Sequence, residues 1–136
     1  MTGPGGFAEL LPADRLLAEC RTAGPADAIE RAPNLRVAAA EVVREGYLLH
    51  YAEPRYYDFE DADLALLAGD RMYAAGLAAL AGAGDIEAVA ALAGLIAGCA
   101  EAHAVGDPAR ADDLWASTLA MLAPGSAAAG PDTSPA

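Results

Sequence analysis

Asp70 and His103 are the polar residues best placed to do chemistry. At ~100° per helical residue, Asp70 falls about 40° from Leu66 and 20° from Leu77, inside an apolar stripe. A carboxylate there must be paired, hydrogen-bonded or protonated. His103 closes a second apolar helical stretch, where the helix dipole favours an imidazolium. The two lie at similar distances on either side of Gly84, so an antiparallel hairpin would bring them within about one turn of each other. A buried polar pair, Asp70 with His103, is expected, with Arg36, Arg44 and Tyr47 competing for the carboxylate. Asp58, Glu60, Asp61 and Asp63 could attract a hard cation, but they lack the glycine and terminal glutamate of a calcium loop. Asp61 is better used as a helix cap. His50 and Glu53 lie one turn apart with no second such pair, so no dimetal site is expected. There is no GxSxG, no Cys/His frame and no phosphate-cradling glycine loop. No catalytic residue, metal site or cofactor is predicted, and the balance leans away from an enzyme.

Recognition chemistry has a second candidate in EPRYYDFED, residues 53–61. Four of the five tyrosines lie in or beside it, at 47, 51, 56 and 57. Tyr and Arg anchor interfaces because they bury large areas and keep a polar handle. Arg55, Tyr56, Tyr57 and Phe59 are therefore a candidate partner-binding patch. The competing reading packs the same rings inward over the end of a bundle.

These residues need helices to position them. Residues 7–23 form a plausible first helix with Pro12 in its first turn and Ala13, Leu16, Leu17 and Cys20 on one face. Residues 27–32 suit a short turn or helix. Asn34 caps an amphipathic helix over 34–52, with Leu35, Ala38, Ala39, Val42, Gly46 and Leu49 as its stripe and Arg36, Glu41, Arg44 and Glu45 off it. Asp61 caps a helix over 62–83, whose stripe is Leu66, Tyr73, Leu77 and Leu80 with Gly69 on its flank. Asp85 caps 85–104, and Asp107–Pro108 opens a last helix with Trp115 on its apolar side. Segment 85–104 is apolar almost all round. Its only charges after the cap are Glu87 and Glu101, about 40° apart around the axis. Such a helix is expected to be enclosed on opposite sides by protein. The small residues Ala90, Gly94, Gly98 and Ala102 would let another backbone come close. Residues 1–6 and 124–136 are read as disordered, leaving one domain over 7–123. No stretch alternates as a strand would.

Charge narrows the partners. The chain of 136 residues holds 20 acids against 8 bases, all arginine, for a net charge of −12. That surface disfavours nucleic acid and anionic membranes. The longest uncharged run inside the folded region, Ala88–Ala100, is 13 residues, short of the ~20 that span a bilayer. Hydrophobic residues make up 55%, enough to exclude wholesale disorder. Cys20 and Cys99 have no ligand spacing and are expected to be free, in a cytoplasmic setting.

Residues 67–82, LAGDRMYAAGLAALAG, resemble a helix of the trans-isoprenyl (polyprenyl) diphosphate synthases. Those enzymes carry an L-A-G-D segment followed by an Ala/Leu-rich helix and a further run similar to 85–104. The family's paired D-D-x-x-D motifs and its R-R-G segment are absent here, so the resemblance implies a non-catalytic relative or accessory subunit and transfers no catalytic residue.

The resulting expectation is an all-α bundle of about five helices around a central hydrophobic helix, 85–104. Its expected role is non-catalytic interaction, as a homodimer or a small subunit of a larger assembly. The alternative is a prenyl-synthase-like accessory subunit, or a binder of an apolar chain in a cleft between helices.

Overall fold

The structure, a computed structural model, describes residues 7–22, 24 and 26–124. The segments read as disordered, 1–6 and 124–136, lie outside it save for Pro124. The described residues are all-helical and form a bundle. A 3₁₀ turn, Ala8–Leu10, precedes α1 (Arg15–Glu19), α2 (Asp27–Glu30), α3 (Leu35–Tyr51), α4 (Ala62–Gly82), α5 (Ile86–Ala104) and α6 (Pro108–Leu122).

The long helices start where short polar side chains cap them. Asn34 accepts from Val37 N at 2.9 Å, Asp61 from Asp63 N at 2.8 Å, Asp85 from Ala88 N at 3.2 Å and Asp107 from Arg110 N at 3.2 Å. Gly84 and Gly106, at φ +78° and +74°, make the two tight turns that flank α5, a backbone state costly for a residue with a Cβ. The N-terminal region departs from the single helix expected over 7–23. Pro12 pushes the residue before it out of the helical region, so the chain runs irregularly over 12–14 and restarts as the short α1. Leu17 is buried there while Leu16 faces out.

The helix at the centre is α3, not α5. Ala38, Ala39, Ala40, Val42, Val43, Glu45, Gly46, Tyr47 and Leu49 are all buried. Ala39, Val43 and Tyr47 pack into one core with Leu80 of α4, Leu92, Leu95 and Cys99 of α5, and Trp115 and Leu122 of α6. Val42 and Leu49 pack into a second core with Leu11, Leu17, Ile29, Tyr56, Tyr57 and Met72. A helix feeding two cores has no side left for solvent.

In contrast, α5 buries one stripe, Ala88, Leu92, Leu95, Cys99 and Ala102, and exposes the opposite one. Ile86 is 66% exposed, and Ala90, Ala93, Gly94, Ala97, Ala100 and Ala104 follow it into solvent. The expected enclosure fails because lack of charge is a weak demand for burial when the residue is alanine, whose methyl gains only about 0.8 kcal/mol on leaving water. Of the stripe expected on α4, Leu80 is buried and Tyr73 and Leu77 pack against the first core, but Leu66 is 44% exposed beside Leu67 at 64%, while Ala68, Gly69, Met72 and Gly76 turn inward.

Candidate functional site

The tyrosine-rich loop is anchored by a group not anticipated as buried. Glu45, on α3, is fully buried, and its carboxylate accepts from Arg55 N at 2.9 Å, Arg55 Nε at 3.0 Å and Tyr56 N at 2.8 Å. Arg55 also donates to Glu41 Oε1 at 2.7 Å and to the Glu41 carbonyl at 2.9 Å, and its guanidinium lies over the Tyr56 ring. Tyr56 and Tyr57 are thereby drawn in, 7% and 1% exposed. The Tyr57 hydroxyl donates to the Pro12 carbonyl at 3.3 Å, and Phe59 stacks on the Tyr57 ring. A patch of Arg55, Tyr56, Tyr57 and Phe59 facing a partner is therefore not what the chain presents; Arg55 is spent on two glutamates and both tyrosine rings are core.

Asp70 and His103 do not pair. Asp70 is largely exposed, 68% of its side chain, and meets His50 Nε2 at 3.0 Å. His103 Nε2 hydrogen-bonds Tyr47 OH at 2.8 Å, and its ring stacks on Tyr51 at 4.0 Å, 3° from parallel. At this level α3 comes between α4 and α5. His50 faces α4, stacked on Tyr73, while Tyr47 and Tyr51 face α5. Both histidines of the chain thus belong to one aromatic ladder that ties three helices together. Arg44 extends it, with its guanidinium 5.4 Å from the Tyr47 ring and 4.9 Å from Trp115.

The ladder offers little covalent chemistry. His50 and Asp70 form an acid–base dyad, but Cys99, on the ladder's inner side, is buried and its thiol is pushed up, away from the thiolate a nucleophile needs. Among the described residues no group of three His, Cys, Asp or Glu side chains could hold a metal ion. Of the acidic run, Asp61 serves as the α4 cap.

Burial of these rings predicts an alkaline limit. Desolvation pushes the Tyr57 hydroxyl up to about 12, and it raises Tyr47, Tyr56 and Tyr73 as well. Between the ordinary tyrosine value of about 10 and the folded values, the native state holds protons that the unfolded chain releases. Stability is therefore complete below pH ~10 and falls as pH rises through the folded values. Urea midpoints measured from pH 8 to 11.5 should stay level to ~10 and then drop, with the tyrosinate absorbance of these rings rising together with unfolding. Ordinary titration of all five tyrosines in the folded protein would contradict this burial.

The surface with the least ordinary composition is the outer side of α4 and α5. Between Met72 and Ala100 the only charges are Asp85 and Glu87, and both are held by Arg36, at 2.6 Å and 3.1 Å. The remaining exposed positions there are Ala74, Ala78, Ala81–Gly84, Ile86, Ala90, Ala93, Gly94, Ala97 and Ala100. By length and hydropathy α4 and α5 are each apolar enough to cross a membrane, for the same reason. Comparison with known proteins identifies no relative: no family model, curated protein or solved structure matches the chain.

Proposed function

We propose that this protein works by association, as a non-catalytic helical module that pairs with a second copy through the outer face of α5. The observation that carries the reading is the near absence of free charge on that face in a chain of net charge −12, its two acids, Glu87 and Glu101, each being paired with an arginine. Two such chains repel wherever their carboxylates meet, so the uncharged face is where contact costs least. Ile86, Ala90, Ala93, Ala97, Ala100 and Ala104 recur at spacings of four and three, the repeat of a helix–helix seam. Small side chains at those positions let two axes approach at the lower end of the ~8–10 Å range. The same device operates inside the molecule, where α3 and α4 touch through Gly46 and Gly69.

Sedimentation velocity tests the reading. A dimer is expected that tightens as salt is raised, because screening weakens repulsion between like-charged chains. Ala93→Glu with Ala97→Glu should return it to a monomer with unchanged helix content, since both positions are exposed and Glu is a good helix former. A wild-type monomer at high protein and high salt, or a dimer indifferent to the two glutamates, would sink the proposal.

A second reading has its own observation. Leu16, Leu17, Phe59, Leu64 and Leu67 line an apolar groove of about 220 Å³ between α1 and α4, with the Asp14–Arg71 ion pair at its edge. It would suit part of an apolar chain, as an accessory subunit of a prenyl synthase would require. Native mass spectrometry showing a co-purified prenyl or acyl ligand would favour it over self-association.

A further inference from the structure

The end of α3 faces a cavity whose chemistry points to a ligand of the opposite charge to the protein's own. The cavity, about 470 Å³, is bounded by Leu49, Ala52, Glu53 and Pro54 at the helix end, by Tyr57–Phe59 of the following loop, and by Thr22 and Ala65. That volume is in the range of small-molecule sites, ~300–1,000 Å³.

Three independent features set its preference. The first is the helix terminus. Ala52 N donates to Leu48 O, and the chain then leaves the helix. A continued helix would offer the His50 carbonyl the amide of residue 54, which is proline and has none, and the Tyr51 carbonyl the amide of Arg55, which is given to Glu45 instead. Among the described residues no backbone donor reaches the carbonyls of Leu49, His50 or Tyr51. The negative end of the helix dipole is thus left uncapped beside the cavity. The second is formal charge. Glu53 and Asp58 both line the cavity, both are exposed, and among the described residues neither is ion-paired, although five of the eight arginines pair with other acids. The third is Phe59, a partly exposed wall of the cavity backed by the buried Tyr57 ring at 6.0 Å, which gives an alkyl or ammonium group an apolar and π surface to rest on. Arg21 lies against the Tyr57 ring but is not among the residues lining the cavity.

We infer that this cavity is a binding site for a small aliphatic ammonium ion, its charge met by Glu53 and Asp58 in the field of the α3 C-terminus and its stem by Leu49, Ala65 and Phe59. Isothermal titration of the full chain with 1,4-diaminobutane at fixed ionic strength tests it. Saturable one-to-one binding is expected, and 1,4-butanediol, which has the same stem without charge, should not compete. Glu53→Gln and Asp58→Asn should each weaken binding about tenfold, as loss of a charge-assisted hydrogen bond does. Ala65→Leu should weaken it as well by filling the cavity at constant charge, and Asp113→Asn, on the exposed side of α6, should leave it unchanged. Equal losses in the three charge variants, with none in Ala65→Leu, would mean diffuse attraction to an acidic surface and would overturn the site. So would the lack of saturable binding up to about 10 mM, a concentration at which even a very weak specific site fills. Should Ala65→Leu fail to fold, the two exposed carboxylate variants decide the matter alone.

Discussion

A Glu45→Ala chain is expected to lose about 3–5 kcal/mol, the cost of breaking a buried ion pair from one side. Three donors now converge on that carboxylate, two of them backbone amides of Arg55 and Tyr56. With the carboxylate gone they face a small void that water enters only by loosening the loop, and an unpaired buried donor costs about 1–3 kcal/mol. The effect should therefore exceed simple stability loss. Arg55 would hold only Glu41, and Tyr56 and Tyr57 would lose the anchor that seats them in the second core. Trypsin provides a direct readout, because the chain has eight arginines, no lysine, and Arg55 is wrapped in the native state. Early cleavage after Arg55, before global unfolding, is the expected signature. Glu41→Gln, which removes only a partly exposed partner, should cost under about 1 kcal/mol and leave Arg55 protected. If urea denaturation places Glu45→Ala within 1 kcal/mol of wild type, the carboxylate is not what seats the loop.

The sequence made some of this legible and hid the rest for a physical reason. Helix starts could be read because a cap is a contact between near neighbours: Asn34, Asp61, Asp85 and Asp107 each serve an amide two or three residues on. The all-α bundle followed from periodicity of the same short range. Glu45 reads as a wet-side residue of α3 because its partners lie ten and eleven residues away, across a reversal at Pro54 whose direction no local rule fixes. Register along a hairpin of α4 and α5 sets Asp70 opposite His103, but α3 comes between them at that level and supplies His50 to one and Tyr47 to the other. The misplacement of the central helix is of a different kind. Alanine is accepted equally in a core and on a surface, so an alanine-rich helix carries almost no information about which of its sides is covered. The residues that do carry it, Val42, Val43, Tyr47 and Leu49, sit on α3. The candidate site suffered most from this, since an exposed alanine face and a buried one have the same sequence.

Gly46→Ala is the second substitution with a large expected effect, because it strikes a close backbone approach between α3 and α4. A Cβ on Gly46 would stand 2.7 Å from the Gly69 carbonyl oxygen and 2.8 Å from the Tyr73 ring. The ring can tilt, but the carbonyl is helix backbone, so the two helices must part by several tenths of an ångström. Gly76 repeats the situation one level along, with the Ala39 carbonyl at 2.9 Å and Val43 Cγ2 at 2.6 Å. Alanine gains about 1 kcal/mol over glycine in a helix interior, whereas overpacking costs about 1–3 kcal/mol and occasionally more. A net loss of about 1–2 kcal/mol is expected for either substitution, and more for the two together if the helices cannot part at both levels. The opposite sign is expected at Gly94, mid-helix in α5 with nothing within 4 Å, where the same substitution should gain up to about 1 kcal/mol in the monomer. Parting α3 from α4 also moves His50 away from Asp70 and Tyr73, so the Gly46→Ala chain should lose near-ultraviolet aromatic signal before it loses helix. Gly46→Ala and Gly94→Ala shifting the urea midpoint in the same direction would show that the approach of these helices is not what glycine is there to permit.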